Sequence, residues 1–263
     1  MKIPEQRVIK LKQLFKKEKI MTVEEACRNF NVSPLTIRRD ITKLEKEGFL
    51  RKVHGGAIYN EIIRENIIES LPNFSKQYKL FKKEKNRIGK EASKRIKDNY
   101  SITLESGSTC LSVVKYLKAK NNLKVSTAGI SIQLELWKLS LIKRDINIGV
   151  CGGIINSSSS IFTGPHALNF FNIINNNIAF ISGTAVSVKK GISTASIEDS
   201  EITRAVAKSA NKVILLADSS KFEKYSFINV MALKELDEII TDKNIDQDIV
   251  TDIKKMGIKI TIV

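Results

Sequence analysis

The sequence predicts an α/β protein in two parts: a small N-terminal helical unit closed by a basic hairpin, and a larger C-terminal domain on a mainly parallel sheet. Three observations carry this. Over residues 1–58 the apolar positions recur at helical spacing and then give way to a glycine-tipped hairpin. From about residue 80, short β-rich runs alternate with helical stretches, the pattern of strands joined by crossover helices. The charge is also uneven. Of the net +16, residues 1–58 hold +7 (14 Lys and Arg against 7 Asp and Glu), residues 59–100 hold +5 and residues 101–263 hold +4.

The first helix is predicted over residues 4–17, where Val8, Leu11 and Phe15 share a face. Thr22 with Glu25 three residues later is a capping box. Behind it Val23, Ala26, Cys27 and Phe30 form one face of a second helix. Ser33 caps a third, with Pro34 at its first position, where a missing N–H does no harm. Ile37, Ile41 and Leu44 are its inner stripe, and Gly48 ends it. FLRKV is a strand, and His54, Gly55 and Gly56 turn it into a partner. Residues 59–79 show weak periodicity and are expected to be a linker. The domain over 80–263 opens with a helix (Ile88, Ala92, Ile96) and strand SITL. There follow helix 109–118, strand LKVST, helix 130–139 and strand INIGV, then strand IAFIS, helix 198–209, strands KVILLA and EIIT, helix 245–255 and strand IKITIV.

Three short helices and a basic hairpin are the parts of a winged helix-turn-helix. With Ile37, Ile41 and Leu44 turned inward, the third helix presents Leu35, Thr36, Arg38, Arg39, Thr42, Lys43 and Lys46 outward. A helix fits the DNA major groove. Arginine grips guanine with two bonds, threonine bonds either way or meets a thymine methyl, and lysines further along suit phosphates. Arg51, Lys52, His54, Gly55 and Gly56 of the slim wing are expected to lie along an adjacent groove. Singly, each residue also fits a solvated helix face or a plain turn. Together, in this order, they fit double-stranded DNA.

The stretch VEEACRNFNVSPLTIRRDITKLEKEGFLRKVHGGA resembles the N-terminal motif of the DeoR family of bacterial transcriptional regulators. The resemblance continues in LESGSTCL, GVCGGI, FTGP, LLADSSKF, EIITD and GIKITIV. It implies a winged helix-turn-helix followed by an α/β sensor domain similar in fold to ribose-5-phosphate isomerase, one that typically binds a phosphorylated sugar. The chain departs from the family pattern at Glu105, where Asp is usual, at Ala128, where Asn is usual, and at Ala185, where Gly is usual. All three fall in loops expected to meet the effector.

Read for chemistry, the second domain offers an anion site. Glu105, Ser106, Gly107, Ser108 and Thr109 follow strand SITL and open a helix, whose N-terminal N–H groups and dipole favour phosphate. Gly152 and Gly153 follow INIGV, Gly183 follows IAFIS, Asp218 ends KVILLA, and Lys221 comes three residues later. In open α/β sheets ligands collect at the carboxyl ends of strands, where these loops can converge. Glu105 and Asp218 would take sugar hydroxyls and Lys221 the phosphate. A turn and cap, a carboxylate cap and a solvated lysine are the plain alternatives.

Cys27, Cys110 and Cys151 are scattered, so neither a disulfide framework nor a metal site is expected, and the two histidines have no metal-ligand spacing. No cofactor is expected. The N-terminus lacks a signal peptide's apolar core and no run approaches a membrane span, which points to a cytoplasmic protein with no membrane partner. The leading expectation is a non-enzymatic repressor of sugar-metabolism genes, working as a homodimer or homotetramer under a phosphorylated-sugar effector. A sugar-phosphate isomerase-like enzyme, and a constitutive DNA binder with a scaffold domain, are the alternatives.

Overall fold

The computed structural model of the protein describes residues 3–59 and 78–263, with side chains from residue 6 onward. The chain divides into two compact units, Met1–Asn66 and Ile67–Val263. Of the expected linker, residues 60–77 lie outside the described residues.

In the first unit α1 spans Ile3–Glu18, α2 Val23–Phe30 and α3 Pro34–Lys46, and the wing strands β2 and β3 span Leu50–Val53 and Gly56–Tyr59. The inward stripes meet as expected: Val8, Leu11, Phe15, Ala26, Ile37, Ile41, Leu44 and Leu50 are buried in one cluster, with Val23, Cys27 and Phe30 half-buried against it. Thr22 and Glu25 form the reciprocal cap, and Ser33 accepts from the Thr36 N–H. Asn31 takes the left-handed conformation (φ 50°) that ends α2 and starts the turn. A further strand, β1 (Ile20–Thr22), pairs antiparallel with β3, giving the order β1-β3-β2. Three residues are too few to show alternation, so periodicity alone misses it. Tyr59 pairs with Leu50 and is buried, so it belongs to the wing and not to the linker.

The second unit is a three-layer α/β sandwich. Its seven-stranded sheet consists of β4 (Ser101–Leu104), β5 (Leu123–Thr127), β6 (Ile146–Val150), β9 (Ile178–Ser182), β12 (Val213–Leu216), β14 (Glu238–Thr241) and β15 (Lys259–Ile262). All pairs are parallel, in the order β15-β14-β12-β9-β4-β5-β6. Helices α4 (Lys82–Ser93), α5 (Gly107–Val114) and α6 (Ile130–Ile142) cover one face; α7 (Pro165–Ile173), α8 (Ile197–Lys208) and α9 (Gln247–Lys255) cover the other. Strand alternation divides the core accordingly. In β9, Ile178 and Phe180 join the first face while Ala179 and Ile181 join the second.

Five short strands supplement the expected elements: the hairpin β7 (Ile154–Asn156) and β8 (Ile161–Thr163), and a small sheet of β10 (Ala185–Ser187), β11 (Gly191–Thr194) and β13 (Ile228–Met231). The helix expected at 109–118 starts two residues earlier and stops at Val114, before a short 3-10 turn at Leu117–Ala119. Ile96 lies beyond the end of α4 yet is buried with its stripe. Arg95, just after α4, donates to buried Glu238 (3.3 Å) and to Glu91, fastening that helix to the sheet. Desolvation pushes the Glu238 carboxyl up, but bonds from Arg95 and Thr261 outweigh it and hold it at about 2.

Candidate DNA-reading face and ligand crevice

On α3 the inner stripe is buried and the outer face is open. Leu35 is 59% exposed; Arg38, Arg39, Lys43 and Lys46 are exposed; Thr36 and Thr42 are half-buried. Among the described residues, the side chains of Arg38, Arg39, Lys43 and Lys46 make no ion pair or hydrogen bond, so their cationic heads face solvent. The two threonines are partly committed: Thr42 Oγ1 donates to the Arg38 carbonyl (2.7 Å), and Thr36 Oγ1 lies 3.0 Å from Ser33 Oγ. That leaves Thr42 its methyl group and an acceptor for a base.

The helix is held by side chains that periodicity did not single out. Asp40, buried on α3, receives Arg7 of α1 at 2.7 and 3.4 Å, and this bond holds the guanidinium above its ordinary value. Lys12 of α1 reaches Glu47 at 2.7 Å. Glu45 accepts from the Lys52 N–H (2.9 Å) and tethers the wing to α3. The readable signal was an acid, Asp40, beside the inner stripe. In the wing, His54 and Gly55 are exposed, Lys52 is exposed and Arg51 half-buried. Gly56 departs from the expectation. It is buried, and a Cβ there would meet the Met21 carbonyl at 2.4 Å, so it packs against β1 and not outward.

In the second unit the strand order contains a reversal. From β4 the chain runs outward through β5 and β6, then returns to the opposite side of β4 to lay down β9, β12, β14 and β15. This switch point lies between β4 and β9, and the crevice outside their carboxyl ends is where such sheets bind ligands. Gly107 sits there with φ 85°, and a Cβ on it would come 2.7 Å from Ser182 Oγ. The loops after β4 and β9 therefore touch. Ser106, the N-cap of α5, makes no side-chain cap bond, so the helix N-terminus is not closed by its own hydroxyl.

Glu105 does not point into this crevice for a hydroxyl. Its Oε2 accepts from Ser182 N–H (2.9 Å) and Oγ (3.0 Å), and its Oε1 from Thr203 Oγ1 (2.7 Å). Burial pushes its carboxyl up while these bonds oppose the shift. It joins β4, β9 and α8, a positioning job for which Thr203 and Ser182 are the unforeseen partners. Thr109 is buried, with its carbonyl taken by Ser112; Ser106, Gly107 and Ser108 remain half-buried at the mouth. Gly183 packs inward, where a Cβ would press Val186 at 3.0 Å. Gly152 and Gly153 follow β6, two strands from the switch point, and Gly153 lies against Thr163 and Ala167. Ala128 is buried, its carbonyl accepting from Phe162, and Ala185 is buried at the start of β10.

Asp218 is fully buried one strand over, at the end of β12. Its Oδ1 accepts from the Ser220 N–H (3.2 Å) and hydroxyl, while Oδ2 has no hydrogen-bond partner. Thr241 Oγ1, at the end of neighbouring β14, is likewise buried without one. A buried carboxylate oxygen left bare is unfavourable unless something fills the space. The nearest cation is Lys85 of α4, its Nζ 3.9 Å from Oδ2 and bonded to the Leu80 carbonyl (2.8 Å). Burial, with the positive charge of Lys221, depresses the Lys85 ammonium to about 8 against the pull of Asp218. Two lysines and one carboxylate thus converge beside the crevice. Periodicity carried a sign of Lys85: it precedes Ile88 and Ala92 by three and seven residues, a lysine on an inward stripe.

Among the described residues, no group of three His, Cys, Asp or Glu side chains is placed to hold a metal, and no helix is long and apolar enough to cross a membrane.

Comparison with known proteins accords with both units. Residues 7–62 match the DeoR-like helix-turn-helix domain, and residues 81–243 match the DeoR C-terminal sensor domain. The chain is 30% identical over 259 residues to the HTH-type transcriptional regulator GolR of Listeria innocua, covering 98% of each. It is 28% identical to the HTH-type transcriptional repressor GlcR of Bacillus subtilis, over 91% of this chain and 88% of that one. A ribose-5-phosphate isomerase structure from Methanocaldococcus jannaschii aligns with 52% of this chain and 53% of its own, at 18% identity and a TM-score of 0.37, a likeness too slight to bear on function. With both domains matched along most of its length, the chain belongs to the DeoR family of DNA-binding transcriptional regulators and is a regulator, not an enzyme.

Proposed function

We propose that the chain represses sugar-metabolism genes, that it reads its operator through α3 and the wing, and that a phosphorylated sugar controls it from the crevice of the second unit. The observation that carries the effector reading is the set of groups at the switch point. An α5 N-terminus without a side-chain cap and the half-buried Ser106 and Ser108 suit a phosphate, with Lys221 and Lys85 beside them as cations. The bare oxygen of Asp218 suits a sugar hydroxyl. Glu105, bonded to Ser182 and Thr203, is the brace behind the loop. Gly152, Gly153 and Gly183 support the fold around it.

On the DNA side, Leu35, Arg38 and Arg39 at the start of α3 face the base edges, and Lys43, Lys46 and the wing residues Arg51, Lys52 and His54 face phosphates. One short helix makes few contacts, so two or four copies acting together would supply the affinity, and the operator would carry repeated half-sites. A ligand shifts such an assembly only if it favours one arrangement of the reading heads.

Calorimetric titration with a panel of sugar phosphates, on the wild type and on Lys221→Ala, tests the effector reading. The expected result is binding of one phosphorylated sugar that Lys221→Ala weakens. Binding unaffected by that substitution removes Lys221 from the site. No binding across the panel favours a scaffold role for the domain.

A further inference from the structure

Helix α6 carries apolar residues on two faces. Ile132, Leu136 and Leu139 turn inward and are buried on the sheet. On the opposite side, Ile130, Leu134, Trp137 and Leu141 follow one another at steps of four, three and four, the spacing of a coiled-coil seam. Among the described residues none of these four joins either apolar cluster of the second unit; Ile130, Leu134 and Leu141 are half-buried and Trp137 is 56% exposed. Ile142, at the helix end, is 75% exposed. A helix that is apolar all round is ordinarily buried all round.

We propose that this outer seam of α6 is the face through which two copies of the chain associate, helix against helix in antiparallel two-fold symmetry. The proposal rests on the reading of the chain as a multimeric operator binder. A second copy fits because the seam complements itself. An antiparallel pairing with its axis beside the helix midpoint sets Leu134 against the partner's Trp137 and Ile130 against the partner's Leu141, a large side chain facing a smaller one at the centre. In a two-fold interface each such contact occurs twice. Charge favours the same face. The chain carries +16, which repels copies of itself in general. On α6 the two charged side chains, Glu135 and Lys138, pair with each other at 2.7 Å, so the helix is neutral. Size contributes as well. Thirteen residues extend about 20 Å, and each Trp137, 56% exposed, has roughly half of a tryptophan's 150–250 Å² left to bury. The seam is thus the centre of a contact whose surroundings supply the rest of the roughly 1,000 Å² of a stable interface.

Trp137 is the single tryptophan of the chain, so its fluorescence reports from the seam and nowhere else. The experiment combines sedimentation of the full chain with acrylamide quenching of Trp137 on the same samples, in the wild type and in Leu134→Glu. The expected result is a wild-type multimer with blue-shifted, poorly quenched emission. Leu134→Glu is expected to sediment as a smaller species whose Trp137 is red-shifted and freely quenched. A wild-type multimer whose Trp137 is freely quenched overturns the proposal, as does a wild type that stays monomeric at all concentrations. If Leu134→Glu fails to fold, the wild-type quenching decides alone. Gel-shift assays on the same samples separate the two readings: a monomer that binds DNA defeats the interface and leaves the DNA reading intact, whereas a multimer with shielded Trp137 and no DNA binding does the reverse.

Discussion

The replacement Lys85→Met removes the buried ammonium beside Asp218, and its effect should depend on pH in a calculable way. In the folded chain Lys85 titrates near 8; in the unfolded chain a lysine titrates near 10.4. The folded state therefore disfavours the charged form, and below pH 8 that preference amounts to about 3 kcal/mol. Between the two values the unfolded chain binds more protons than the folded one, so this group makes stability rise with pH. The cost is absent above the unfolded value and reaches its full size as pH falls from there to 8. Between pH 7 and pH 9.5 the wild type should gain about 2 kcal/mol that Lys85→Met does not. Urea denaturation of both proteins at the two pH values measures this, because titrating groups remote from Lys85 are shared and cancel in the difference. Parallel pH dependence of the two proteins would refute the burial of Lys85. A larger gain in the variant than in the wild type would reverse the assigned direction.

Three further outcomes are expected. Arg39→Ala should weaken operator binding by roughly 1–3 kcal/mol and relax base preference, while Lys46→Ala should weaken all sequences alike and lower the salt slope by about one; gel shifts over a salt series distinguish the two, and equal behaviour would contradict the division of labour along α3. Asp40→Ala should lower the stability of the first unit by about 3 kcal/mol, because it strands the Arg7 guanidinium in a partly buried site, and thermal melting of the full chain reads the loss. Gly107→Ala should destabilise the second unit by about 1–3 kcal/mol, since its positive φ disfavours a side chain and the new methyl would displace Ser182 from Glu105; an unaltered melting temperature would mean the two loops do not meet.

Much of this protein is determined locally. Capping boxes, a proline at a helix start, the period of the apolar stripe and the alternation of strands with helices depend on neighbours a few residues apart. The helices of the first unit, the seven strands of the main sheet and the outward face of α3 were therefore readable from the sequence. So was the charge that points to DNA. What depends on residues far apart was not. Strand order decided that the switch point lies between β4 and β9, and this moved Gly152 and Gly153 away from the crevice while drawing in Lys85 from a helix more than a hundred residues earlier than Asp218. Glu105, next to three hydroxyl-bearing residues in sequence, looked like a ligand group, but its oxygens are consumed by Ser182 and Thr203, which only packing brings to it. Gly56 seemed part of an exposed wing tip until β1, three residues long, closed over it. A side chain's type and spacing determine what it is able to do. Whether it faces solvent, a ligand or another side chain is decided by contacts across the fold, and those depend on how the whole chain packs.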